Sequence, residues 1–240
     1  EFKTFLIKGV TNSGKTEVYM KAVEEALNQG RTAIVLLPEI ALSHQTEERF
    51  RKRFGAENIA TLHSKLSTSK KLSEWARIRS GEARIVVGAR TSVFAPLENI
   101  GAIIIDEEHE STYKSDHNPK YETVDVAYKR ASAHNAILVL GSATPSVVSY
   151  YRSKQGVYEL LEMPKRIGQS VLPTIETVDM RAETRRGNLG VISEALADGI
   201  SESLKNREQI ILFLNRRGFS TQILCPDCGH KMVCDECGIT

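Results

Sequence analysis

The feature that most limits how this chain can fold is the rhythm of residues 1–150, where short apolar runs alternate with helix-length stretches. The runs Thr4–Val10, Thr32–Leu37, Asn58–Leu62, Arg84–Gly88, Gly101–Ile105 and Ala136–Gly141 are rich in Ile, Val and Leu and do not strictly alternate. Such runs predict parallel strands covered on both faces. Between them, Lys15–Asn28, Leu42–Phe54, Thr68–Ser80 and Val124–Ala133 predict helices; in the second, Phe50 and Phe54 fall one turn apart on one face. Alternating β and α elements predict an α/β fold with a doubly wound parallel sheet. Right-handed crossovers then bring the strand carboxyl ends to one edge, where ligands bind.

The chain has 240 residues, enough for one large domain, or one domain and part of another. It is 41% hydrophobic and 26% charged, which supports a sizeable core and excludes disorder as the main state. A formal net charge of +2 gives no bulk signal for nucleic acid, although a near-neutral total can hide basic faces. The longest apolar runs are strand-sized, far short of the ~20 residues of a membrane span. No secretory signal opens the chain, and all four cysteines lie between Cys225 and Cys237. A reducing, cytoplasmic setting is therefore expected. The start at Glu1 without Met and the end just after a cysteine cluster suggest a piece of a longer protein.

After Pro145 the pattern loosens. Residues 151–190, with Pro164, Pro173 and the mixed-charge stretch Asp179–Gly187, read as a connecting region. A helix over Ser193–Lys205 and a strand over Gln209–Leu214 read as the opening of a second α/β unit, 191–224. A cysteine segment, 225–240, follows. The basic stretch Arg49–Arg53 reads as a solvated helix face.

Gly9-Val10-Thr11-Asn12-Ser13-Gly14-Lys15-Thr16 fits G-x-x-x-x-G-K-[ST] between an expected strand and an expected helix. Glycines let backbone N–H groups converge on phosphate oxygens, and the helix N-terminus favours negative charge. Lys15 is expected to reach the β and γ phosphates, and Thr16 to ligate Mg²⁺. About 90 residues on, Ile103-Ile104-Ile105-Asp106-Glu107-Glu108-His109 ends an apolar strand in acids, expected beside the first strand's loop on a neighbouring strand. Asp106 is the candidate Mg²⁺ ligand and Glu107 the candidate base that orients an attacking water. Together the two motifs predict a nucleoside triphosphatase using ATP and Mg²⁺, with Lys15, Asp106 and Glu107 catalytic and Gly9, Thr11, Asn12, Ser13, Gly14 and Thr16 binding.

Asp106-Glu107-Glu108-His109 is a DExH box, and Gly141-Ser142-Ala143-Thr144-Pro145 is a strand-end S-A-T motif. Together they resemble superfamily two helicases. Leu36-Leu37-Pro38-Glu39-Ile40, Val87–Pro96, Phe213–Phe219 and the cysteine pairs narrow the likeness, and the chain resembles the bacterial PriA-type replication-restart helicases along its whole length. The resemblance implies a RecA-like motor lobe over 1–150 and an ATP-driven 3′-to-5′ DNA helicase acting at stalled or branched forks. It also implies partners: single-stranded and forked DNA, single-strand-binding protein and primosome proteins. Asn12 stands where the family's phosphate loop often has Gly; Asn tolerates positive φ better than most residues. A translocating ATPase that does not unwind, and a zinc-based assembly platform with a secondary ATPase, stay open as readings. A piece of this length is expected to be poorly active, because an arginine finger worth ~10³–10⁵ in turnover is expected further along.

The segment from His109 to Tyr121 carries Tyr113, Lys114, Lys120 and Tyr121. Aromatic rings stack on bases at ~1–3 kcal/mol each and lysines meet phosphates; a solvated loop with its tyrosines tucked in is the other reading. The resemblance makes it the aromatic-rich loop that couples single-stranded DNA to hydrolysis, and gives Ser142 and Thr144 a part in the same link. Arg90 and Thr91 are expected either to meet the DNA backbone or to be a solvated or capping pair. Arg217, with Arg216, is placed by resemblance in the second lobe. Cys225-x-x-Cys228 and Cys234-x-x-Cys237 are two knuckles of the kind that hold Zn²⁺, with a redox pair as the weaker alternative. The five-residue spacer would make one four-thiolate site very tight. The family pattern has two Zn²⁺ sites, so that each is half present here; His230 is either a substitute ligand or exposed.

Overall fold

The strands β1 (Lys3–Gly9), β2 (Thr32–Leu36), β3 (Ile59–Leu62), β4 (Ile85–Gly88), β5 (Ile100–Asp106), β6 (Ile137–Ser142) and β7 (Glu159–Met163) make one sheet. Its order is β3-β4-β2-β5-β6-β1-β7 and every pairing is parallel. The helices are α1 (Lys15–Asn28), α2 (His44–Phe54), α3 (Thr68–Arg79), α4 (Thr123–Ala133), α5 (Val147–Lys154), α6 (Met180–Arg185) and α7 (Glu194–Lys205). This computed structural model describes residues 1–38, 44–168, 173–213 and 228. Residues Glu1–Ser170 form one unit and Val171–Thr240 a second.

Parallel strands covered on both faces explain why the apolar runs do not alternate with polar residues. Along β5, Ile103 and Ile105 face a core that contains Ile78 of α3 and Ala127 and Ala131 of α4. Ala102 and Ile104 face the opposite core, which contains Tyr19 and Val23 of α1 and Phe50 of α2. Ile103, Ile104 and Ile105 are all fully buried, each contributing roughly 1.5–3 kcal/mol on burial. Phe50 is likewise buried and stacks on Phe54 at 6.2 Å between ring centroids. The expected one-turn spacing of these rings is what seats α2.

Three sequence expectations change. First, β1 and β5 are not neighbours, because β6 lies between them; order along a sheet is set by crossovers, which local patterning does not encode. Second, residues 159–163, expected in a connecting region, form β7, which pairs with β1 along the sheet edge. Its mixed sequence, Glu-Leu-Leu-Glu-Met, suits an edge with one side in water. Third, residues 209–213 form no strand; Ile211 is 93% exposed and, among the described residues, no strand edge pairs with them. A strand needs such an edge to satisfy its backbone groups.

In the second unit, Asp179 and Ser193 cap α6 and α7 through the backbone N–H groups of Arg181 and Leu196. The buried Glu183 carboxylate accepts from the Glu194 N–H and the Asn188 side chain. Among the described residues, no helix is long and apolar enough to cross a membrane.

Candidate nucleotide site and the strand-end edge

The loop between β1 and α1 has the geometry of a phosphate cradle. Asn12 and Gly14 both take positive φ, 62° and 93°, which turns successive N–H groups inward. A β-carbon at Gly9 would sit 2.6 Å from the Ser13 hydroxyl, so glycine there lets the loop close on itself. Lys15 is buried and its ammonium donates to the Gly9 carbonyl at 2.7 Å. Among the described residues the buried Ser13 hydroxyl has no partner, which leaves it open to a ligand oxygen. Thr11, Thr16, Asp106 and Glu107 line the same cavity of about 480 Å³. Positive charge, free donors and hard oxygen ligands suit a magnesium–triphosphate group. Thr16 and Asp106 would hold the metal.

Asp106 reaches this cavity although β6 separates its strand from β1. Tyr19, one helical turn beyond Lys15 on α1, donates its hydroxyl to Asp106 Oδ1 at 2.9 Å. The hydroxyl passes over Gly141 at the end of β6, where any β-carbon would overlap it. Burial pushes the Asp106 carboxyl above the ordinary range, opposed by the Tyr19 bond and by the charge of Lys15. Burial and the Asp106 charge push Glu107 up too. Burial and the same carboxylate push the Tyr19 phenol far up, keeping it a donor. Glu107 itself holds φ at 47°, an uncommon conformation for a residue with a side chain.

The rest of the DExH turn ties neighbouring elements together. His109 Nδ1 lies 2.7 Å from the Ser142 hydroxyl and 3.6 Å from Glu107 Oε2, and its Nε2 lies 3.4 Å from Thr144 Oγ1. The DExH and S-A-T motifs thus meet directly. The buried Glu108 carboxylate accepts from Ser146 N–H, Ser146 Oγ and Ser149 Oγ at 2.7–3.0 Å, capping α5.

Tyr113 does not present its ring for stacking. It is 3% exposed, and its hydroxyl donates to the Asp106 carbonyl at 2.8 Å. Of the two readings of this loop, the structure has the tyrosine tucked in, among the residues of one apolar core. Arg90 is held as well: its guanidinium donates to the carbonyls of Thr112 and Lys114 and lies over the Tyr121 ring. Tyr121 packs edge-to-face on Phe94 at 5.1 Å. Lys114 is exposed, with its ammonium 3.1 Å from Glu122, and Thr91 is exposed. Arg217, Cys225, Cys234 and Cys237 lie outside the described residues, as do His230 and the Glu39-Ile40 end of one motif; Cys228 is exposed.

Four contributors escaped the sequence reading. Tyr19 and Glu108 were given no role of their own. Arg49, read as part of a solvated face, lines the cavity, whereas Arg51, Lys52 and Arg53 pair with glutamates as that reading implies. Ile167, from the expected connecting region, also lines the cavity, its N–H donating to the Asn12 carbonyl at 2.8 Å. The sequence signal available was the i, i+4 spacing of Lys15 and Tyr19, which puts both on one helix face.

Two predictions follow from this geometry. Asp106 binds its proton more tightly in the fold than in the unfolded chain. Its contribution to stability is complete below the ordinary carboxylate range and is lost as pH rises through the raised value. Asp106→Asn should therefore raise the melting temperature of the nucleotide-free chain at pH 7.5, with the gain disappearing near pH 4; scanning calorimetry at both pH values checks it. Tyr19→Phe removes the donor from a buried carboxylate, an interaction of ~1.5–3 kcal/mol. The Mg²⁺ concentration needed for nucleotide binding should rise about tenfold, with the largest change at lower pH, read by titrating Mg²⁺ against a fluorescent ATP analogue.

Comparison with known proteins places this geometry in a family. Residues 1–151 match the DEAD/DEAH box helicase family model. Replication restart protein PriA of Bacillus subtilis is 49% identical over 240 residues, covering 100% of this chain and 30% of that protein. The protein of the same name from Synechocystis is 41% identical, covering 98% of this chain and 29% of that one. This chain thus spans about a third of the length of these relatives. A crystal structure of the DUF1998 helicase MrfA bound to DNA and AMPPNP shares the fold at a TM-score of 0.52 and 17% identity, covering 85% of this chain and 30% of that one. The family model over the sheet-bearing unit, and relatives aligned from end to end of these residues, establish that the chain belongs to the DEAD/DEAH box helicases and is of the PriA type.

Proposed function

We propose that this chain is the ATP-hydrolysing motor part of a 3′-to-5′ DNA helicase that acts at stalled or branched forks to restart replication. The observation that carries the reading is the single cavity shared by Lys15, Thr16, Asp106 and Glu107. Lys15 leaves the Gly9 carbonyl to neutralise the β and γ phosphates, and Ser13 and the loop N–H groups bind their oxygens. Thr16 and Asp106 would hold Mg²⁺, which when bound would supply positive charge against the phosphate oxygens. Glu107 orients a water for in-line attack at the γ phosphorus and takes up its proton as the bond to ADP breaks. Burial and the Asp106 charge raise the proton affinity of Glu107, which favours its taking up that proton.

In this reading His109, Ser142 and Thr144 pass the state of the site along the strand-end edge, while Arg90, Tyr113, Lys114 and Tyr121 shape the DNA-facing loop. Residues 191–224, with Arg217, open the second motor lobe. Cys225, Cys228, Cys234 and Cys237 each contribute to one of two Zn²⁺ sites that need further cysteines. Single-strand-binding protein and primosome proteins are the partners, in the cytoplasm.

Lys15→Ala should weaken Mg–ATP binding by at least tenfold without lowering the melting temperature by more than a few degrees. Unchanged affinity by isothermal titration would reject the phosphate-loop assignment. For the longer protein, unwinding of forked DNA from a 3′ single-stranded tail and not from a 5′ tail is the expected outcome. ATP hydrolysis without strand separation would favour a translocase.

A further inference from the structure

A second cavity, of about 670 Å³, opens at the carboxyl ends of β2, β3 and β4, on the same edge as the phosphate loop. Leu37, Leu62 and Ala89 give it an apolar floor, and Lys71, Arg90 and Lys114 bring cations to it, against the single acid Asp116. Two aromatic residues line it. Tyr113 is buried, whereas Trp75 of α3 is 41% exposed. Lys71 and Trp75 stand four residues apart, on one face of that helix. A large aromatic face left in water beside an apolar floor and a cationic rim is matched by a nucleobase with its phosphate: the base covers the indole and the phosphate meets the ammonium groups.

We propose that Trp75 is a base-stacking platform, and that this cavity takes one or more unpaired bases of single-stranded DNA. The assignment rests on the proposed DNA reading and deepens it, because it moves stacking from Tyr113, which is enclosed, to a residue outside the sequence motifs. Lys71 and Arg90 flank the platform. The Lys114–Glu122 pair is exposed, so it is cheaply exchanged for a phosphate contact.

Trp75 is the only tryptophan of the 240 residues, so its emission reports this place alone. Titration of the chain with an oligothymidylate at low salt should quench that emission in step with binding read by anisotropy of a labelled strand. An abasic strand of equal length should bind through its phosphates and leave the emission unquenched. Trp75→Ala should weaken oligothymidylate binding about tenfold, the size of one lost base–aromatic stack, and leave abasic-strand binding unchanged. Trp75→Phe should restore most of the affinity, which separates stacking from misfolding. Binding without quenching, or equal quenching by the abasic strand, overturns the platform and leaves the DNA reading intact. Failure of both strands to bind overturns both.

Discussion

The hydrogen bond from Tyr19 to Asp106 over the bare backbone of Gly141 is the contact on which the geometry of the site depends. The lysine of the phosphate loop and the aspartate of the acidic turn come from strands with a third strand between them. The gap is bridged by a side chain from the same helix face as Lys15, so the two halves are referenced to one rigid turn of α1. Only glycine at 141 leaves space for the hydroxyl. A carboxylate this far from water would favour its protonated form without a donor. The tyrosine opposes that preference, and burial in turn keeps the tyrosine a donor.

The turn that follows distributes four consecutive side chains to four places. Asp106 is held by α1, Glu107 faces the cavity, Glu108 caps α5, and His109 meets the end of β6. Positive φ at Glu107 is part of that arrangement. A strand continuing straight would set Glu107 and His109 on one face and Asp106 and Glu108 on the other, rather than send four side chains to four places. The strain at one residue is offset by buried, charge-assisted hydrogen bonds at its neighbours.

Sequence patterning revealed the parts of the fold whose physics is local. Six apolar runs became β1 to β6, because a run buried on both faces needs no partner identity to be recognised. The phosphate loop and the acidic turn were legible because their residue types follow from phosphate and metal chemistry. β7 was not, since an edge strand half in water carries no strong apolar signal, and Ile167 was lost with it. Strand order was not legible either, which is why β1 and β5 were expected to be neighbours. The choice between the two readings of Tyr113 was not legible for a related reason: whether a loop tyrosine points outward or inward depends on distant residues such as Thr123, whose hydroxyl donates to its carbonyl at 2.7 Å.

Magnitudes decide which contacts can carry a signal between the two cavities. The exposed Lys114–Glu122 pair is worth ~0–1 kcal/mol and breaks at little cost. The Tyr113 hydroxyl is enclosed, and losing its acceptor would leave a buried polar group unpaired at ~1–3 kcal/mol. The Tyr113–Asp106 bond is therefore the costlier of the two to break. Asp106 is gripped at its carbonyl by Tyr113 and at its carboxylate by Tyr19. A main-chain shift at this residue must then either rotate the carboxylate against a fixed donor or move α1. Asp106 lines the cavity beside Lys15 and Tyr113 lines the cavity beside Trp75, so this pair of hydrogen bonds joins residues of both.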